Sequence, residues 1–193
     1  GAITRGTDNT GVGSDVLVSL TTGSLNQAVG AGALSSLTYG SDNCALGRVA
    51  GSGITTGSIN ISIGNYTGPG GATNGVVAIG HAAAASTQSA GSNSVAIGSY
   101  AFQLNTAGVA TAVGYAAMNR NTTGAGNTAI GYSSLYFNTI GYANVAVGHE
   151  SLYNNTTAVE NTAVGYQAMY TNTTGQGNAA LGNYALRSNT SGN

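Results

Sequence analysis

The side chains able to do acid–base or metal chemistry are few and widely spaced. The acidic residues include Asp15, Asp42, Glu150 and Glu160, and the only histidines are His81 and His149. A pair of placed carboxylates would suit polysaccharide cleavage. Glu150 and Glu160 share a coil, yet nothing in the sequence makes their side chains converge. His149 and Glu150 are adjacent, and neighbours on a strand point to opposite faces. No set of His, Cys, Asp or Glu has metal-ligand spacing. Cys44 is the single cysteine, so an intrachain disulfide is impossible, and it reads as a small half-buried side chain. The sequence therefore predicts no catalytic residue, no metal and no cofactor.

Tyrosine is the residue type with a pattern. Tyr115, Tyr132 and Tyr166 recur at one position, and Tyr136, Tyr153 and Tyr170 at another. Tyrosine suits half-buried sites, so both columns read as packing between subunits, with contact to sugar rings or a receptor as the alternative. His81 and His149 fall at the same position as the first set. A repeated surface position accounts for them better than catalysis does.

Side chains that recur in this way need a repeating scaffold, and the sequence has one. A glycine closes each unit: Gly13, Gly30, Gly47, Gly64, Gly80, Gly98, Gly114, Gly131, Gly148, Gly165 and Gly182. The spacing is 17 residues, apart from a 16, an 18 and a 16 in the middle. Such a unit is too short for a helical hairpin or a propeller blade. It fits one coil of an all-β parallel β-solenoid (a β-roll), with two or three short strands per coil. A lone coil cannot bury its apolar face, so the coils must stack. Residues 1–193 thus read as a single repetitive segment of about eleven coils. The irregular coils lie at about 64–113, where Pro69 and the alanines 82–85 predict an altered turn or bend. Pro69 cannot donate to a ladder and belongs on a loop or edge.

Stacking turns positions into columns. The residue before the glycine is always aliphatic: Val12, Val29, Leu46, Ile63, Ile79, Ile97, Val113, Ile130, Val147, Val164 and Leu181. β-branching suits strands, so this column is the expected core. A second apolar column stands four after the glycine, with Leu135, Leu152 and Met169 among its members. The residue two before the glycine is always small, mostly alanine as at Ala163. Alternation places it opposite the aliphatic column. A uniformly small outer column implies close approach by another chain, so the solenoid is expected to be an oligomer. Asparagine four before the glycine, as at Asn144 and Asn161, predicts a ladder. Glycine ten after the anchor, as at Gly40 and Gly141, predicts a turn with positive φ.

Composition agrees with a thin repetitive fold. Glycine supplies 32 of the 193 residues, tryptophan and lysine are absent, and only nine residues are charged. The net charge is −1, and Arg5, Arg48, Arg120 and Arg187 lie far apart. No basic patch exists for nucleic acid, and no apolar run is long enough for membrane insertion. The first residue, Gly1, and the last, Asn193, do not read as solenoid caps, so the sequence reads as a segment of a longer or processed protein.

Asn93 to Gly98 (Asn-Ser-Val-Ala-Ile-Gly) and Asn161 to Gly165 (Asn-Thr-Ala-Val-Gly) resemble the head repeats of YadA-like trimeric autotransporter adhesins. The fuller unit from Asn161 to Gly175 also resembles repeats of bacteriophage tail fibres. The resemblance covers nearly the whole chain. It implies a homotrimer of parallel β-rolls, intertwined or side by side, that forms a stiff fibre. Adhesin head coils of that type are usually shorter than these, which favours the tail-fibre branch. The expected role is the shaft of a phage tail fibre that supports host-surface attachment, located on the virion. The alternative is the head of a bacterial adhesin at the cell surface. A polysaccharide depolymerase spike and an ice-binding solenoid are lesser alternatives; no Thr-x-Thr column runs through all the coils. The expected partners are other copies of the chain and a host glycan or protein.

Overall fold

The computed structural model describes residues 6–85, 91–106 and 109–192. It is all-β, with one short strand per coil. The strands are β1 (Thr10–Val12), β2 (Gln27–Val29), β3 (Cys44–Leu46), β4 (Ile61–Ile63), β5 (Val77–Ile79) and β6 (Val95–Ile97). They continue as β7 (Ala110–Val113), β8 (Asn127–Ile130), β9 (Val145–Val147), β10 (Thr162–Val164) and β11 (Ala179–Leu181). All are parallel and pair in sequence order, which makes one 11-stranded sheet. The expected β-solenoid is thus present, but among the described residues the second and third strands per coil are not. The rest of each coil is a chain of turns, linked to the next coil by backbone bonds such as Met118 N–H to Ser134 C=O at 2.9 Å. At about 4.8 Å per step the sheet runs for roughly 48 Å.

The register repeats the anchor spacing. Ala129 pairs with Ala146 and Ile130 with Val147; Ala163 pairs with Ala180 and Val164 with Leu181. Equivalent residues therefore stack along the whole rod. Pairing stays in register through β4 to β7, where the coil length changes. The irregularity is taken up on the far side of the coil. There Pro69 lies outside any strand and is buried between Gly68 and Gly70. Residues 86–90 and 107–108 of the expected irregular zone lie outside the described residues.

The inside and outside of the strand are the reverse of the expectation. Ala28, Ala78, Ala96, Ala112, Ala129, Ala146 and Ala163 are fully buried. Val29, Leu46, Ile130 and Leu181 are exposed, and Ile63, Ile79, Ile97, Val113, Val147 and Val164 are half-buried. Leu46 keeps 49% of its surface in solvent. The reason is width. Opposite the strand, Leu34, Phe102, Met118, Leu135, Leu152 and Met169 fill the interior and are completely buried. In so narrow a coil only a methyl group fits between them and the sheet. The small column is the packed one, and the β-branched column is turned out of the single chain. Leu186, in the last coil, is the exposed member of the large column.

Two asparagine columns complete the interior, of which one was expected. Asn43 donates Nδ2–H to Asn26 Oδ1 at 3.0 Å and to Gly57 C=O at 2.9 Å. Asn144, Asn161 and Asn178 repeat this pattern. The second ladder runs through Asn105, Asn121, Asn138, Asn155, Asn172 and Asn189. Both ladders meet at one carbonyl per coil: Gly141 C=O accepts from Asn127 at 2.7 Å and from Asn138 at 2.9 Å. In the first coils Leu20, Leu37 and Ile54 replace the second ladder and form a separate apolar cluster. The glycines ten after the anchor do not have the expected positive φ. A Cβ on Gly40 would instead collide with the carbonyl of Gly57 stacked upon it. Positive φ belongs to the anchors, such as Gly131 at +136°, and to large residues such as Met169 at +51°.

Candidate functional site

The first tyrosine column is longer than its tyrosines suggest. Tyr66, His81, Tyr100, Tyr115, Tyr132, His149, Tyr166 and Tyr184 form one unbroken row of eight rings. Tyr132 and His149 stack at 4.8 Å between centroids, and Tyr115 and Tyr132 at 5.1 Å. The histidines are therefore rungs of an aromatic ladder. Tyr66, Tyr100 and Tyr184 stand one residue later in their coils, and a turn brings their rings back into line. An anchor-relative count alone could not find them. Arg48 covers the ring of Tyr66 at 4.5 Å, and Arg187 approaches that of Tyr184 at 5.7 Å. This row follows directly on the strand, beside the outward aliphatic column.

The second column lies around the turn. Tyr136 and Tyr153 stack at 5.3 Å, and Tyr153 and Tyr170 at 5.2 Å with their planes 2° apart. All three are half-buried. Within this column the ring faces are turned toward one another, so solvent meets mainly edges and hydroxyls. Phe137 stands edge-on against both Tyr136 and Tyr153. Arg120 lies 5.4 Å from the Phe137 ring centre, and Arg187 lies 5.3 Å from that of Tyr170. Burial of the Tyr153 phenol, with Tyr170 and Tyr136 beside it, pushes its pKa above the usual value.

Beside this column runs a shallow cavity of about 370 Å³, lined by Phe137, Asn154, Thr156, Thr171 and Thr173. Asn154 donates Nδ2–H to Tyr170 C=O at 3.1 Å. The threonine hydroxyls donate to the backbone of the next coil, as Thr139 does to Thr156 C=O at 3.0 Å. Each such hydroxyl keeps its acceptor lone pairs. Sequence reasoning missed this floor because its column is chemically mixed: Arg120, Phe137, Asn154, Thr171.

The scattered acid–base residues are accounted for by local contacts. Glu150 has φ of +54° and sits in a turn. Its side chain therefore comes within 3.7 Å of His149 Nδ1, contrary to the strand-based expectation of opposite faces. Gln167 donates to Glu150 Oε2 at 2.6 Å and accepts from Arg187 Nε at 2.9 Å. Glu160, Asp15 and Asp42 are exposed. Among the described residues no three of His, Cys, Asp and Glu come together as a metal site would require. Cys44 is a free thiol paired in register between Gln27 and Ile61. No described helix is long and apolar enough to cross a membrane. No protein-family model, curated protein or solved structure matches this chain.

Proposed function

We propose that the chain is a segment of a homotrimeric attachment fibre, the shaft of a bacteriophage tail fibre, and not an enzyme. One observation carries this reading: the aliphatic column from Val12 to Leu181 faces out of a rod with a constant pitch. A partner that covers such a column along its full length must repeat at the same pitch, and a second copy of the chain does so. Covering eleven half-exposed aliphatic side chains contributes on the order of 10 kcal/mol per chain, enough to offset much of the cost of association. The oligomer thus rests on the outward aliphatic column instead of the small one. The number three comes from the resemblance to trimeric fibre repeats.

The alternative, the head of a bacterial adhesin, draws on Asn93 to Gly98, which contains β6. The two readings differ in the surface they bind. Labelled assembled protein should bind bacterial cells of at least one strain saturably, in competition with unlabelled protein. Saturable binding to animal cells or extracellular matrix, with none to bacteria, would favour the adhesin. Binding to neither would contradict both.

A further inference from the structure

The described part of the chain holds only three cationic side chains, Arg48, Arg120 and Arg187. Two of them bracket one surface. Between Arg120 and Arg187 lie Phe137, Asn154 and Thr171 in one column and Tyr136, Tyr153 and Tyr170 in the next. Thr156 and Thr173 line the other side. Along the backbone the two arginines are four coil steps apart, about 19 Å at the strand spacing, and their guanidinium groups lean inward to the rings of Phe137 and Tyr170. We infer that this groove binds an extended anionic polysaccharide, a uronate or sulfated glycan, with its acidic groups on Arg120 and Arg187. The inference rests on the attachment reading and gives it a ligand class.

The lining supports saccharide chemistry. Asn154 offers an amide oxygen, and Thr156, Thr171 and Thr173 offer hydroxyl acceptors to sugar hydroxyls. Phe137 supplies an apolar surface at the end nearest Arg120, whose guanidinium lies against its ring. The coil pitch is close to the advance of one pyranose ring, so successive sugars meet successive coils. Arginine pairs well with carboxylate and sulfate oxygens, and a neutral glycan would leave both arginines without a partner in it. A nucleic-acid strand fits less well. It would bring more phosphates across this span than two arginines neutralise, and Glu150 stands beside Gln167 next to one of them.

Calorimetric titration of the assembled protein with oligogalacturonate, dextran sulfate, neutral dextran and single-stranded poly-dT tests the inference. An acidic glycan should bind, more weakly as salt rises, and neutral dextran should not. Arg120→Gln should weaken that binding by about tenfold, the effect of losing one charge-assisted hydrogen bond. Asn154→Ala should weaken it as well, and Tyr39→Ser, at a distant exposed site, should leave it unchanged. Dextran binding equal to that of dextran sulfate, tighter binding of poly-dT, or an Arg120→Gln variant with unaltered affinity would overturn the inference. Protein that attaches to cells yet binds neither acidic glycan overturns the groove alone. Protein that binds an acidic glycan yet attaches to no cell surface overturns the attachment reading alone.

Discussion

Ser62 stands where every neighbouring strand has alanine: Ala45 on one side and Ala78 on the other. It is fully buried, and among the described residues its hydroxyl has no hydrogen-bond partner. An unsatisfied buried hydroxyl is unfavourable, so Ser62→Ala should stabilise the fold by about 1 kcal/mol. Thermal unfolding should show this as a rise of roughly 3 °C for a chain of this size. Tyr153 gives a second test at the same scale. Its phenol is harder to ionise in the folded chain than in the unfolded one. Above the unfolded phenol value of about 10, the unfolded chain releases this proton first. The stability linked to Tyr153 is therefore complete below that pH and is lost as pH rises through the folded value. Melting temperature measured across alkaline pH should fall, and Tyr153→Phe should make the fall shallower. A variant with an unchanged profile would contradict this assignment.

The asparagine ladders set the energetics of the coil. Asn144 Oδ1 accepts from the Asn161 backbone at 3.0 Å, and its Nδ2–H reaches Ala158 C=O at 2.8 Å. Asn144→Ala removes both contacts in a dry interior and should destabilise the chain by about 3 kcal/mol. Asn178 matches only the second of these, donating to Gly192 C=O at 2.7 Å in a more exposed setting, and Asn178→Ala should cost about 1 kcal/mol or less, as water can replace its bonds. Equal losses in urea titration would argue against the ladder as the source. The first ladder was legible because its asparagine recurs at fixed distance from the glycine. The second was hidden because Leu20, Leu37 and Ile54 hold its place in the first coils. Asn121 stands in a polar run with Thr122 and Thr123, yet it lies fully inside.

At the scale of the whole rod, periodicity alone revealed the parallel solenoid and its register. It could not say which strand face is inside, because alternation separates two faces without naming them. Val164 was expected inside and Ala163 outside, on the ground that an invariably aliphatic strand column fills the core. That rule presumes a core wide enough to hold such a column, and a 17-residue coil with Met169 opposite its strand has no such room. The aromatic surface was half legible: three-residue sets of tyrosines and the two histidines aligned with one of them pointed to it, and turns added the offset tyrosines.

The outward aliphatic column is proposed to be covered by copies of the same chain. Native mass measurement of the purified protein at micromolar concentration tests it, alongside the double variant Ile130→Asp and Val147→Asp. Three chains are expected for the unmodified protein, and a smaller species for the variant, whose two carboxylates would otherwise be buried unpaired. A stable, folded single chain for the unmodified protein would contradict it.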